Sequence, residues 1–189
     1  MNADLILTLY KDKRTVFSFR EIAMLTGESD MARLKQRVNY YVRTNKLNNL
    51  RRGIYAKENY SPEELVCKIF KPSYISLEYV LQKEGIVFQY NPVITVVSYL
   101  SRNLKIDNHL IQYRKIKDVL LYNTAGITMN DSGISIATPE RALLDKFYLD
   151  KEYYIDVANS LNKDELMKLF GIYQSARLKK STLNIFEID

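Results

Sequence analysis

The stretch from Ser18 to Ala56 constrains this chain most, because its apolar residues recur with a helical period that a glycine interrupts. Ser18 and Glu21 have the spacing of a capping box, in which the hydroxyl accepts from a first-turn amide and the carboxylate reaches back to the cap amide. Phe19, Ile22, Ala23 and Leu25 supply a buried side. Gly27 can take the left-handed conformation that ends a helix. Ser29 or Asp30 can cap a second helix reaching to about Asn45. Wound at roughly 100° per residue, that helix gathers Leu34, Val38, Tyr41 and Val42 on one side. Gln36, Asn39, Tyr40 and Arg43 point the other way, with Arg33 and Arg37 along one flank. Leu47 to Ala56 then reads as a hairpin with Arg51-Arg52-Gly53 at its tip.

Upstream, Asp4 to Lys11 has a broad apolar helical face, and Thr15-Val16-Phe17 is short and β-prone. A helix, a short strand, two helices and a basic hairpin make the pattern of a winged helix-turn-helix over residues 1–58. Its outward residues are types that hydrogen-bond to base edges and phosphates. No carboxylate occurs between Met31 and Glu58, whereas an ordinary solvated helix face mixes Glu with Lys. Residues 1–60 hold twelve Lys and Arg against six Asp and Glu. Of the chain's 28 basic and 22 acidic residues, sixteen of each remain beyond residue 60, so the net +6 lies in the first third. A localised basic excess is the footprint expected of phosphate contact. The expected partner is double-stranded DNA, read by Arg33, Gln36, Arg37, Asn39, Tyr40 and Arg43. Arg51 and Arg52 would contribute position and salt dependence. A winged fold can also bind another protein, with the basic face meeting an acidic partner.

With 189 residues, 47% of them hydrophobic, the chain can bury a small domain and a medium one. No apolar run approaches the roughly eighteen residues of a membrane span, and no membrane partner is expected. The N-terminal charges follow the apolar part, unlike a signal peptide. Cys67 is the only cysteine, which excludes an intrachain disulfide and fits a cytoplasmic protein. One Cys and one His109 make a structural zinc site a poor reading, and no cofactor is expected.

Residues 59–189 read as a second, α+β domain behind a linker at Glu58–Ser61. Ser61-Pro62-Glu63-Glu64 starts a helix, with proline at its first position and acids at the positive dipole end. Another helix is expected from Ser76 to Glu84. Pro92–Leu100, Ile106–Tyr113, Ile116–Tyr122 and Gly133–Ala137 are rich in Ile, Val, Leu and Tyr between Asn, Asp and Gly turns. They predict a largely antiparallel sheet. Thr138-Pro139-Glu140 starts a further helix. Two more are expected between Tyr154 and Lys180, with Gly171 interrupting one of them. No enzymatic constellation stands out. The six glycines are scattered, there is no Asp-x-Asp, and His109 has no nucleophile motif beside it.

Two segments carry a family resemblance. RRGIYAKENYSPEELVCKIFKPSYISLEYVLQKEGI resembles the junction of the AbiEi-type antitoxins, a wing ending in R-G-x-Y followed by a helix and P-S-Y-I-S-L. ATPERALLDKFYL is similar to that family's A-x-P-E-K-A-L-L-D segment. Arg141 stands where lysine is common, and Tyr79 where the family often has a small residue. The resemblance spans nearly the whole chain. It implies an antitoxin of a two-gene module paired with an AbiEii-type nucleotidyltransferase toxin. It also implies a winged helix that represses the module's own promoter at inverted repeats. The C-terminal domain would counteract the toxin, often without a stable complex.

Overall fold

In the computed structural model, which describes residues 4–150, 153–158, 160–175 and 178, each helix of the N-terminal part starts on its own side-chain cap. Helix α1, Leu5–Lys11, begins where the Asp4 carboxylate accepts from the Ile6 amide at 3.2 Å. Strand β1, Val16–Ser18, runs straight into α2, Phe19–Thr26. The capping box is formed in both directions: Glu21 N donates to Ser18 Oγ at 3.2 Å, and Ser18 N to Glu21 Oε2 at 2.7 Å. Gly27 ends α2 at φ 64°. Asp30 caps α3, Met31–Arg43, accepting from the Ala32 and Arg33 amides at 2.9 and 3.0 Å. Strands β2, Asn48–Arg51, and β3, Ile54–Ala56, complete a three-stranded antiparallel sheet of order β1-β3-β2. Leu5, Leu9, Phe17, Ile22, Leu34, Val38, Leu47 and Tyr55 form the core of this part. Each such side chain contributes roughly 1.5–3 kcal/mol by leaving water.

The chain divides into two compact units, Met1–Ile69 and Phe70–Asp189. The break falls eleven residues beyond the expected 58/59 boundary, because Glu58–Ser61 does not lead away from the first unit. Ser61 N donates to Thr15 Oγ1 at 2.8 Å. Helix α4, Pro62–Ile69, buries Glu64 with 4% exposure, and its Oε2 accepts from the Thr15 and Val16 amides at 2.7 and 2.9 Å. Lys68 pairs with Glu21 at 2.7 Å. Sequence reading assigned Glu64 to the helix dipole alone; it also satisfies backbone donors at the start of β1, which would otherwise be costly to bury.

The second unit is α+β, and its sheet is mixed rather than largely antiparallel. Its elements are β4 Ser73–Ile75, α5 Glu78–Lys83, β5 Val93–Ser98, β6 Arg102–Ile106, β7 His109–Lys115 and α6 Asp118–Leu121. They continue with β8 Ile127–Met129, β9 Ser135–Ala137, α7 Pro139–Leu149 and α8 Lys163–Tyr173. The strand order is β6-β7-β5-β4-β9-β8. β5 pairs with β7, and β4 with β9, in parallel; the other three pairings are antiparallel. The short β4 and β8, three residues each, carry too little pattern to be read as strands. The run expected as one strand from Ile106 instead turns at Asp107, φ 50°, and divides between β6 and β7. The segment expected as a strand at Ile116–Tyr122 contains the helix α6, in which Leu120 and Leu121 are buried and Val119 is exposed; Tyr122, just past its end, is exposed too. Gly171 does not interrupt α8 but lies within it. Residues 153–158 are not helical, and much of the region expected to hold a second helix up to Lys180 lies outside the described residues.

Candidate nucleic-acid interface

Helix α3 presents the expected outward face because its other face is fixed. Leu34 and Val38 have 0% exposure, and Tyr41 and Val42 pack against the same core. The Tyr41 hydroxyl donates to Asp4 Oδ1 at 2.9 Å. Burial, together with that carboxylate, holds the phenol above its ordinary pKa. With the helix pinned this way, Arg33, Gln36, Asn39, Tyr40 and Arg43 are all exposed on the opposite side. Tyr40 is 53% exposed, its ring edge-on to Tyr41 at 5.4 Å between centroids. A ring held this way offers an apolar face without large loss of side-chain entropy.

Arg37 stands apart from that set. Its side chain is 25% exposed, and its Nη1 lies 3.6 Å from Glu28 Oε2. Arg33 Nε lies 3.9 Å from the same oxygen, with its side chain 57% exposed. The carboxylate-free stretch from Met31 to Glu58 therefore has a carboxylate beside it after all, supplied by the turn between α2 and α3. Glu28 is not legible from the acids along α3, because it lies on the turn that folds against the helix flank. Lys35 is also exposed, on the flank of α3 away from Arg37.

Arg51 and Arg52 sit on a separate element. The β2–β3 hairpin pairs Arg51 with Ile54 across an Arg52-Gly53 tip, after an irregularity between Asn49 and Arg51. Gly53 takes φ 78°, which a side-chain-bearing residue adopts only with strain, and its carbonyl accepts from the Phe19 amide at 2.9 Å. The tip is thus tied to the first residue of α2. Arg52 is exposed and Arg51 half-buried.

Among the described residues no group of three or more His, Cys, Asp or Glu side chains is placed to hold a metal. No described helix is long and apolar enough to cross a membrane. The second unit has an open cleft of about 610 Å³ lined by Val87, Phe88, Gln89, Tyr153, Tyr154 and Asp156. Asp156 there accepts from the Phe88 amide at 2.8 Å.

Among the described residues of the second unit, a polar cluster lies buried that local sequence pattern does not by itself reveal. Asp145 and Arg141, one turn apart on α7, both have 0% exposure. Asp145 Oδ2 accepts from Tyr74 and Ser76 at 2.9 and 2.8 Å; its Oδ1 accepts from Tyr173 at 2.6 Å and from Arg141 Nε at 3.4 Å. The remaining Arg141 nitrogens donate to the carbonyls of Ala125 and Leu120 at 3.0 and 2.8 Å and to Tyr74 Oη at 3.2 Å. Burial pushes the Asp145 carboxyl above its ordinary value, against the pull of Arg141 and the three hydroxyls. The same burial raises Tyr74 and Tyr173 strongly. With its groups paired to one another and covered, this cluster joins β4, α7 and α8. The readable signal is Arg141 and Asp145 at i, i+4, bracketing Ala142, Leu143 and Leu144 in PERALLDKF.

Comparison with protein-family models returns no match for this chain, and comparison with curated proteins returns none.

Proposed function

We propose that the chain is a DNA-binding autorepressor and antitoxin of the AbiEi type, whose first unit is a winged helix. The order α1-β1-α2-α3-β2-β3 with a β1-β3-β2 sheet is the arrangement that a winged helix requires. The observation that carries the DNA-binding reading is the exposed α3 face of Arg33, Gln36, Asn39, Tyr40 and Arg43. Such residues reach base edges in a major groove wide enough to admit a helix. Arg37 flanks that face, and Arg51 and Arg52 contact phosphates from the wing. The +6 excess, held in the first sixty residues, supplies the long-range attraction.

The antitoxin half of the proposal rests on P-S-Y-I-S-L and P-E-x-A-L-L-D. In the fold these motifs meet: Tyr74 and Ser76 of the first donate to Asp145 of the second. Their pairing in one sequence therefore has a physical reason. The partners in this reading are the chain's own promoter and a nucleotidyltransferase-like toxin, encoded beside it. Two measurements test it. Gel shifts against the chain's own upstream region should show preference over a scrambled duplex. Coexpression should restore growth to cells that express the neighbouring toxin. Retention of a stable protein partner without DNA binding at low salt would instead favour the protein-interaction reading.

A further inference from the structure

We propose that Glu28 is a positioning residue that sets the ratio of promoter to random DNA binding. The proposal rests on the DNA-binding reading above and names a control on the same face. Glu28 lies in the turn between α2 and α3, with its side chain only 12% exposed. Its Oε1 accepts from the Asp30 amide at 3.4 Å, and Asp30 in turn caps α3, so the turn and the helix start are built together. Its Oε2 faces Arg37 at 3.6 Å and Arg33 at 3.9 Å. Arg33 and Arg37 are one turn apart on the same flank, so a single carboxylate serves both guanidinium groups.

This carboxylate engages the two guanidinium groups as a phosphate oxygen would. Random DNA is held almost wholly through phosphates. A promoter complex adds contacts to base edges, which reward side chains already fixed in one orientation. An Arg37 held by Glu28 is less available to an arbitrary phosphate, and an Arg33 steered by it is better prepared for a base edge. Glu28 thereby disfavours the random complex and favours the promoter complex.

The experiment uses the full chain, a duplex from its own upstream region and a scrambled duplex of equal composition, titrated by fluorescence anisotropy across a salt series. In E28Q the affinity for the scrambled duplex should rise and the promoter-to-scrambled ratio should fall by about two- to fivefold, the range that a partly exposed ion pair commands. The salt slope on the scrambled duplex should steepen by about one counterion. E28D, which keeps the charge, should restore most of the ratio. In an R37Q background, E28Q should raise the affinity for the scrambled duplex much less than it does in the wild type. If E28Q also shifts the melting transition, this double-variant comparison decides, because a loss of folding would lower binding with or without Arg37. A promoter preference in the wild type that E28Q leaves unchanged, or an E28Q effect that persists in full in the R37Q background, would overturn the role of Glu28 alone. Absence of any promoter preference in the wild type would overturn the DNA-binding reading and this proposal with it.

Discussion

The two units use arginine in opposite ways. On α3 and the β2–β3 hairpin, Arg43 and Arg52 stand in solvent, where holding a charge costs little and a partner can reach it. On α7, Arg141 is wholly buried, and its donors serve Asp145, Tyr74 and two carbonyls. Solvation makes the difference. A buried ion costs several kcal/mol unless every donor is answered, so such a residue is committed to the fold. An exposed one remains uncommitted until something binds.

The sharpest way to break this contrast is to remove one member of the buried pair. Asp145→Ala leaves Arg141 buried and uncompensated and should cost about 3–5 kcal/mol in urea unfolding of the second unit. Arg43→Ala should stay within about 0.5 kcal/mol of wild type in the same assay. A cost below about 1 kcal/mol for Asp145→Ala would show that the cluster is not what holds α7 in place.

Two glycines extend the comparison. At Gly126, φ 70°, an added Cβ would meet Arg141 Cβ at 2.9 Å and Leu169 at 3.0 Å. Gly53 has φ 78° but nothing within 4 Å. Gly126→Ala should therefore combine backbone strain with overpacking, about 2–4 kcal/mol by thermal or chemical denaturation. Gly53→Ala carries only the strain, about 1–2 kcal/mol. Equal costs would mean that the loop carrying Gly126 moves aside.

On the exposed side, loss should register in binding and not in stability. Gln36→Ala or Arg43→Ala should weaken promoter binding by about 1–3 kcal/mol and relax sequence preference. Arg52→Ala should weaken promoter and random duplexes alike and lower the salt slope by about one. Gel shifts over a salt series distinguish these two patterns.

The smallest effect separates the carboxylates of the two units. The hydrogen bond from Arg14 holds Asp12 down at about 2, below its ordinary 3.8. Its contribution is complete above the unfolded value and is lost as pH falls through about 2. Asp145 lies above its ordinary value through burial, so its ionisation opposes stability as pH rises through its folded value. Asp12→Asn should flatten the acid limb of the melting curve between pH 4 and 2, while Asp145→Asn should not flatten that limb.

Sequence reading found what local chemistry dictates. The caps at Ser18, Asp30 and Thr138, the stop at Gly27 and the hairpin tip at Gly53 are set by a few adjacent residues. So is the exposed face of α3, because one periodic helix determines it. What escaped depends on distant partners. The parallel pairings of β4 with β9 and β5 with β7 require knowing which strands meet. Glu64 looks like a helix-start acid until β1 is beside it, and Glu28 looks like a loop residue until the flank of α3 is beside it. Arg141 and Asp145 lie in one of the segments that carry the family resemblance, but their burial follows only from the docking of β4 and α8.

The central claim is that α3 reads DNA, and a competition titration of the full chain tests it most directly. Its own upstream duplex and a scrambled duplex should differ in affinity by about a thousandfold or more at physiological salt. Arg43→Ala should erode that preference while leaving the melting transition in place. Equal affinity for the two duplexes, or a preference that survives removal of Gln36, Asn39 and Arg43 together, would contradict the account.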